Sequence, residues 1–426
     1  MQSAELTTPE GHDPRHGAVG DTGVTARDRR ARVAASAGFA VQGLSFAAVI
    51  SQVPVFQDKF GLDEMQLTLT LAAVPVIAGV GSVLAGIFAP RIGSGPVLRV
   101  SALGVAAMMA GAGWADQPVF FYTAIALFGF FLGGVDATMN MQGTAVQRRY
   151  GRSIMASCHA WWSIAGILAA LAAIITAAYP ERYFLGGAAI VAVLVSLIAG
   201  PGLLKKADEA HNPHTAALEP TGEAGRVPRR GLIIAFIGIA LMVMFIGDAA
   251  TTNWSGVFLQ DVLGANEHVV PAGLFAYLVF QFLGRTVADR IIGRLGAVST
   301  VIVGSIVAAG GFALVALSHQ PPMAIGGFAL VGIGLSVVVP LTFSAADALD
   351  PAGTGTVIAK VNLFNYAGVI VGSAVIGVVA DPSMLGDLRL AFVVPAGLVL
   401  LIIALAPSFR VVDTARERAA RAIAAR

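Results

Sequence analysis

The chain has 426 residues, of which 56% are hydrophobic and 12% charged, with a formal net charge of +2. A soluble domain carries roughly 25% charged residues, so a soluble globular particle of this size is excluded, and the near-neutral balance points away from a nucleic-acid partner. The single cysteine, Cys158, excludes an internal disulfide.

Residues 1–32 are rich in Gly, Thr, Asp, Arg and His and cannot bury a core, which predicts a disordered cytoplasmic tail. The cations Arg27 to Arg32 precede a long apolar run that carries Gln42 and Gln52 and lacks a small-residue cleavage pattern, so it is expected to be a retained first span. Apolar runs long enough to cross about 30 Å of hydrocarbon recur near residues 33–56, 66–89, 97–115, 119–147, 154–178 and 183–204. They recur again near 232–259, 269–290, 297–317, 322–345, 356–380 and 388–408. The polar stretch 205–230, with Lys205, Lys206, Arg226, Arg229 and Arg230, reads as a linker between the two sets. The expectation is an all-α membrane protein with six-helix bundles over 33–204 and 231–409 and a second cytoplasmic tail over 410–426.

Orientation follows from the cations. With the N-terminus cytoplasmic, only Lys59, Arg182 and Arg389 of the 27 Lys and Arg fall on the outer side, while Arg91, Arg148, Arg149, Arg152, Arg285, Arg290, Arg294 and Lys360 join the tails and linker inside. The positive-inside rule then predicts both termini in the cytoplasm and a multi-pass protein of the inner membrane.

The second run leads into Gly86-Ile-Phe-Ala-Pro90-Arg91-Ile-Gly93, and the eighth into Gly284-Arg285-Thr-Val-Ala-Asp289-Arg290-Ile-Ile-Gly293-Arg294. These segments resemble the loop signature of the major facilitator superfamily, which implies twelve helices in two pseudo-symmetric bundles and a charge latch between the halves. The resemblance assigns gating to Arg91, Asp289, Arg290 and Arg294; Pro90 stands where the family has Asp. Gly134-Val-Asp136-Ala-Thr-Met-Asn140-Met-Gln142-Gly143, followed by Gly151-Arg152 and His159, is similar to the YbjJ/MosC-like branch, as is Gly247-Asp248 with Asn253-Trp254-Ser255. That branch implies a sugar-like or polyol-like solute.

Once the loops have taken their charges, Asp136 and Asp248 remain near mid-depth, each about 18 Å from its nearer charged boundary at about 1.5 Å per residue. A carboxylate there is costly unless neutralised, paired or facing water, which makes both candidates for proton coupling. The competing reading of Asp136 is a packing residue bonded to Asn140 or a nearby hydroxyl. Asn140, one turn away, shares its face. Gln52, Asn253, Trp254, Gln281, Asn362, Asn365 and Tyr366 are candidate solute ligands, because amides and aromatics bind neutral hydroxyls without stranding charge. Interhelical bonding is the alternative for each. His159 reads as a structural hydrogen-bonding residue or a proton relay.

The sequence contains no phosphate-binding Gly-rich loop ending in Lys-Ser or Lys-Thr, no Gly-x-Ser-x-Gly and no metal-spaced His cluster. The expectation is therefore a monomeric secondary transporter that is no enzyme and needs no cofactor or metal. Its partners are a small-molecule solute, protons and the lipid bilayer. The fifth run lacks the Pro of drug antiporters and holds one Gly, Gly166, which favours proton-coupled symport over proton-antiport efflux; a non-transporting solute sensor is the third alternative.

Overall fold

The protein is described here from a computed structural model over residues 24–62, 64–210, 229–266, 269–350, 352–380 and 388–424. Most of the expected N-terminal tail and interdomain linker, residues 1–23 and 211–228, lies outside the described residues. Twelve long helices build the fold: α1 (Ala26–Ser51), α2 (Glu64–Ile92), α3 (Ser94–Gly113), α4 (Pro118–Tyr150), α5 (Met155–Ile175) and α6 (Glu181–Ala199). They are followed by α7 (Arg230–Val257), α8 (Ala272–Leu295), α9 (Ala297–Ala316), α10 (Pro321–Leu335, resuming as Val338–Ala348), α11 (Thr356–Ala380) and α12 (Leu390–Leu405). Ten spans among the described residues are long and apolar enough to cross a membrane. The other two long helices are α8, whose apolar stretch is diluted by Gln281, Arg285 and Asp289, and α11, whose described apolar part is shorter.

Helix ends follow local chemistry. The first helix starts at Ala26, well before the apolar run begins, because Thr25 and Asp28 form a capping box: the Asp28 amide donates to Thr25 Oγ1 at 3.1 Å and the Thr25 amide to Asp28 Oδ2 at 3.0 Å. Asp28 is then buried as the ion-pair partner of Arg149 at the end of α4. Within the expected C-terminal tail, residues Arg410–Ala424 form a helix.

The packing is organised as a repeat. In the first half α2 and α3 pack on α4, and α6 packs on α3, while α1 packs on α5 and α6. In the second half α8 and α9 pack on α10, and α12 packs on α9, while α7 packs on α11 and α12. Each pair in one half has its counterpart six helices later, as internal duplication predicts. The main contacts between halves, α2 on α11 and α5 on α8, are themselves related by the same shift.

Within each half the helices touch through glycine. A Cβ on Gly133 of α4 would sit 1.8 Å from the Ala78 carbonyl oxygen of α2, and one on Gly332 of α10 2.3 Å from the Tyr277 carbonyl oxygen of α8. Gly133→Ala therefore forces two backbones apart, and a loss of about 1–3 kcal/mol is expected. A lowered melting temperature of the purified protein checks this, and an unchanged one contradicts the close approach.

A second repeated device lies at the end of the bundle that carries most of the cations. Glu209, on a short helix after α6 (Lys206–Ala210), accepts the Ser94 amide at 3.0 Å and the Gly95 amide at 3.4 Å, capping α3. Asp413, on the helix after α12, accepts the Ala297 amide at 2.7 Å and the Val298 amide at 3.4 Å, capping α9 in the same way. Gly93 and Gly296, at φ 94° and 80°, make the turns that bring both caps into reach.

Burial is the largest influence on Glu209 and raises its carboxyl above the ordinary glutamate range, against the lowering effect of the Ser94 and Gly95 amides. A raised native pKa means that the folded state holds the proton more tightly than the unfolded state. The resulting stability is full below the ordinary range and is lost as pH rises through the raised value. The difference in melting temperature between the natural protein and Glu209→Gln should therefore shift against the natural protein as pH rises across that window; a difference independent of pH contradicts it.

Candidate functional site

Two polar clusters occupy the middle of the bundle. The first centres on Asp136 of α4, which is 7% exposed. Its Oδ2 accepts from Asn362 Nδ2 at 2.9 Å, Tyr366 Oη at 2.9 Å and Asn365 Nδ2 at 3.3 Å. All three donors stand on α11, at the i, i+3 and i+4 spacing that puts them on one helical face. Asn140 Nδ2 reaches Oδ1 at 3.4 Å, and its better bond, 2.8 Å, goes to the Asp136 carbonyl. Gln42 of α1 also hydrogen-bonds the carboxyl, and Asn362 donates to Ser82 Oγ of α2 at 3.1 Å. One carboxyl of the first half is thus the common acceptor for a face of the second.

Asp136 is therefore not satisfied within its own helix, since its shortest side-chain bonds cross between halves. The amides and Tyr366, read from the sequence as solute ligands, sit beside it as its hydrogen-bond donors. A carboxylic acid that can be an acceptor when charged, or an acceptor and donor when protonated, changes the number of bonds available here.

The second cluster centres on Asp248 of α7. Tyr277 Oη donates to Asp248 Oδ1, and Gln281 Nε2 donates to Tyr277 Oη at 2.7 Å. One turn further along α8 is Arg285, 5% exposed. Its Nη1 donates to Ser163 Oγ of α5, and its guanidinium lies over the Trp162 ring, 5.7 Å from the centroid. Asp248 acts on Arg285 through space without forming a salt bridge to it among the described residues. Arg285 had every sequence sign of an inner loop cation, beside Asp289 and Arg290. The structure puts it inside α8, about 15 Å from the helix end at Leu295 at about 1.5 Å per residue. Its i+4 spacing from Gln281 and i+8 spacing from Tyr277 is the signal that joins it to this polar face.

The remaining candidates fall elsewhere. Gln52 is buried where α1 ends, ten residues or about 15 Å beyond Gln42, and joins neither cluster. Asn253 is exposed, and Trp254 packs on Ala250 and Ala391, which puts the tryptophan at the α7 to α12 contact. His159 is held by rings, Phe39 at 4.8 Å and Phe343 at 6.1 Å, and its Nε2 has no partner; the expected structural hydrogen bond is not made there. Among the described residues no group of His, Cys, Asp and Glu is arranged to hold a metal ion.

A profile of the Major Facilitator Superfamily matches residues 35–373. The chain belongs to that superfamily. It is 28% identical over 375 residues to an uncharacterized transporter, y4wD, of Sinorhizobium fredii, covering 87% of this chain and 96% of that one. It is 26% identical over 370 residues to membrane protein MosC of Rhizobium meliloti, covering 85% and 86% of the two chains, and is a transporter of the MosC-like branch. Among solved structures, the proton:xylose symporter XylE bound to 6-bromo-6-deoxy-D-glucose shares the fold with a TM-score of 0.69 at 14% identity, covering 89% of this chain and 95% of that one.

The loop signature of the major facilitators is used unequally in this member. Asp289 of the second copy caps α5 from the opposite half: Oδ2 accepts the Ser157 amide at 2.9 Å, and Oδ1 accepts Ser153 Oγ at 2.7 Å and the Ala156 amide at 3.3 Å. The first copy, with Pro90, offers no such acceptor. The start of α11 is served from its own half, by Asp350 Oδ2 accepting the Gly355 amide at 2.7 Å. Arg91, expected to gate, folds back onto the Ile87 carbonyl of its own helix at 2.6 Å. Arg290 and Arg294 are exposed on α8 and make no described cross-half bond. An ion pair that does join the halves is Arg148 with Asp347, beside Gln147 Nε2 donating to Ser344 Oγ at 3.0 Å. No loop motif carries that pair: Arg148 ends α4 and Asp347 ends α10, and only the tertiary fold joins them.

Proposed function

We propose that this major facilitator is a proton-coupled symporter of a small polar, sugar-like solute in which Asp136 carries the coupling proton. The observation that supports it most is the Asp136 carboxyl, set in one half and bonded by Asn362, Asn365 and Tyr366 of the other. Bonds to an ionised carboxylate are roughly twice as strong as neutral ones, so charged Asp136 holds α4 against α11. A proton on the carboxyl weakens that hold and releases amides and a phenol to hydroxyls of the solute. Proton and solute thereby act on the same contact, which is what coupling requires. Asp248, tied to Tyr277, is a second proton site in this scheme.

In the reading we adopt, the cation-rich end faces the cytoplasm by the positive-inside rule, with both termini there and the protein a monomer in the inner membrane. Residues 33–204 and 231–409 are the rocking units. The conformer described, with Arg148–Asp347 and the Asp289 cap formed, is then the one closed to the cytoplasm. The fold neighbour XylE is a proton:xylose symporter. The deciding experiment reconstitutes the purified protein in proteoliposomes with an imposed pH difference and follows labelled sugars and polyols. Accumulation that collapses with a protonophore supports the proposal. Accumulation that runs against the proton gradient makes the protein an antiporter, and binding without flux makes it a sensor.

A further inference from the structure

Among the described residues Arg285 is the least explained charge. A guanidinium has five N–H donors, and the hydrogen bond it makes among the described residues is the single one from Nη1 to Ser163. Its Nε is buried with no partner. The acid nearest in electrostatic effect, Asp248, is bound by Tyr277 and makes no salt bridge with it. A buried cation without a direct counter-ion is strongly unfavourable, and an ionisable group kept inside a membrane bundle marks a ligand pathway by default. The guanidinium lies over the Trp162 ring at cation–π distance, a contact that takes up none of its N–H donors. The edge that includes Nε is one of those that grip a carboxylate with two parallel bonds.

We propose that Arg285 is the recognition point for a carboxylate group on the transported solute, which makes the substrate a small hydroxylated carboxylate rather than a neutral sugar. This rests on the transport reading given above and narrows its solute class. The surrounding groups fit. Gln281 and Tyr277 continue the same face of α8 with amide and phenol donors for hydroxyls, and Ser163 and Trp162 belong to α5 of the other half. A carboxylate on Arg285 therefore touches both moving units. The other titratable groups around Arg285 are Asp248, Tyr277 and His159, the last also with an unpartnered Nε2. Asp248 repels a second carboxylate when charged, so the bound acid and a protonated Asp248 belong to the same state.

The test compares matched pairs on the purified full-length protein, by thermal shift and titration: glycerate against glycerol, and gluconate against glucitol. Within each pair the skeleton is shared and the carboxylate is the difference. At least one acid is expected to bind about 10- to 100-fold more tightly than its neutral partner, the range of a charge-assisted hydrogen bond. Arg285→Gln should abolish that preference and Arg285→Lys restore part of it, with both variants first shown to be monodisperse. Because the comparison of acid with neutral partner is made in the natural protein, it does not depend on either variant folding. Equal binding of the two members, binding of neither acid, or a preference that survives Arg285→Gln overturns the assignment. Failure of the coupling proposal looks different: acids bind through Arg285 but a pH gradient drives no accumulation.

Discussion

Asp136→Asn should abolish accumulation of solute against its gradient while leaving exchange of solute across the membrane intact. Asn keeps the size of the side chain and can still accept from Asn362 or Tyr366, so the contact between α4 and α11 survives in neutral form. What is lost is the group that takes and gives the proton in the proposed coupling. A pH difference of one unit supplies about 1.4 kcal/mol per proton, enough for about tenfold accumulation in the natural protein. The variant should stop at about equal concentrations inside and out, and the same vesicles preloaded with unlabelled solute should still exchange label. Concentrative uptake that persists in Asp136→Asn would remove this carboxyl from the coupling mechanism. Loss of exchange as well would assign it to solute binding alone.

The next largest effect is expected at the cation-rich end. Arg148 and Asp347 are 18% and 9% exposed at their side chains, buried enough that breaking the pair costs more than a surface bridge but less than the 3–5 kcal/mol of a fully buried one. A figure of about 2 kcal/mol, or about a 30-fold shift in population, is expected for Asp347→Asn in favour of the conformer open at that end. Asp347 is the better target, because Arg148 also donates to the Glu209 carbonyl and its removal would disturb the α3 cap. The readout is maleimide labelling of a cysteine at Ser344, which is buried against Gln147, in a Cys158→Ser background. Labelling should accelerate in Asp347→Asn and stay near the natural rate in Asp347→Glu, which keeps the charge. A rate unchanged in Asp347→Asn would mean that this pair does not hold the end closed. Asp289→Ala, which removes the cap on α5, should give a smaller acceleration, since a lost cap costs about 0.5–2 kcal/mol.

Hydrophobic length made most of the fold readable. A bilayer demands long apolar helices, and the runs over 97–115 and 297–317 coincide closely with α3 (Ser94–Gly113) and α9 (Ala297–Ala316). Where polar residues are paired inside the fold, length misleads. The start of α1 carries Asp28 and was therefore hidden, because the Arg149 partner that permits its burial lies 121 positions away. The same limit governed the site. Asn362, Asn365 and Tyr366 share a face by periodicity alone, and Asp136 stood out as an acid with no loop to hold it. That these four meet is a tertiary fact. Arg285 was concealed for the opposite reason, since a cation four residues from Asp289 looks like part of a basic loop, and only its depth in α8 separates it. Pro90 was the most informative departure from the superfamily pattern, because the missing acid corresponds to a cross-half cap that is present at Asp289 and absent at the first copy.

The enclosure of Asp136 bears on how tightly a cycle can be geared. Its carboxyl is covered by donors from the opposing half in the conformer described, and in the proposed cycle those donors must part before it meets either aqueous phase. Under the coupling proposed above, a proton taken up from one side reaches the other only after the halves have moved apart and re-formed, which holds slippage of protons without cargo to the rate at which the unloaded molecule rocks. Vesicles containing the protein should then hold a pH difference almost as long as empty ones until solute is added.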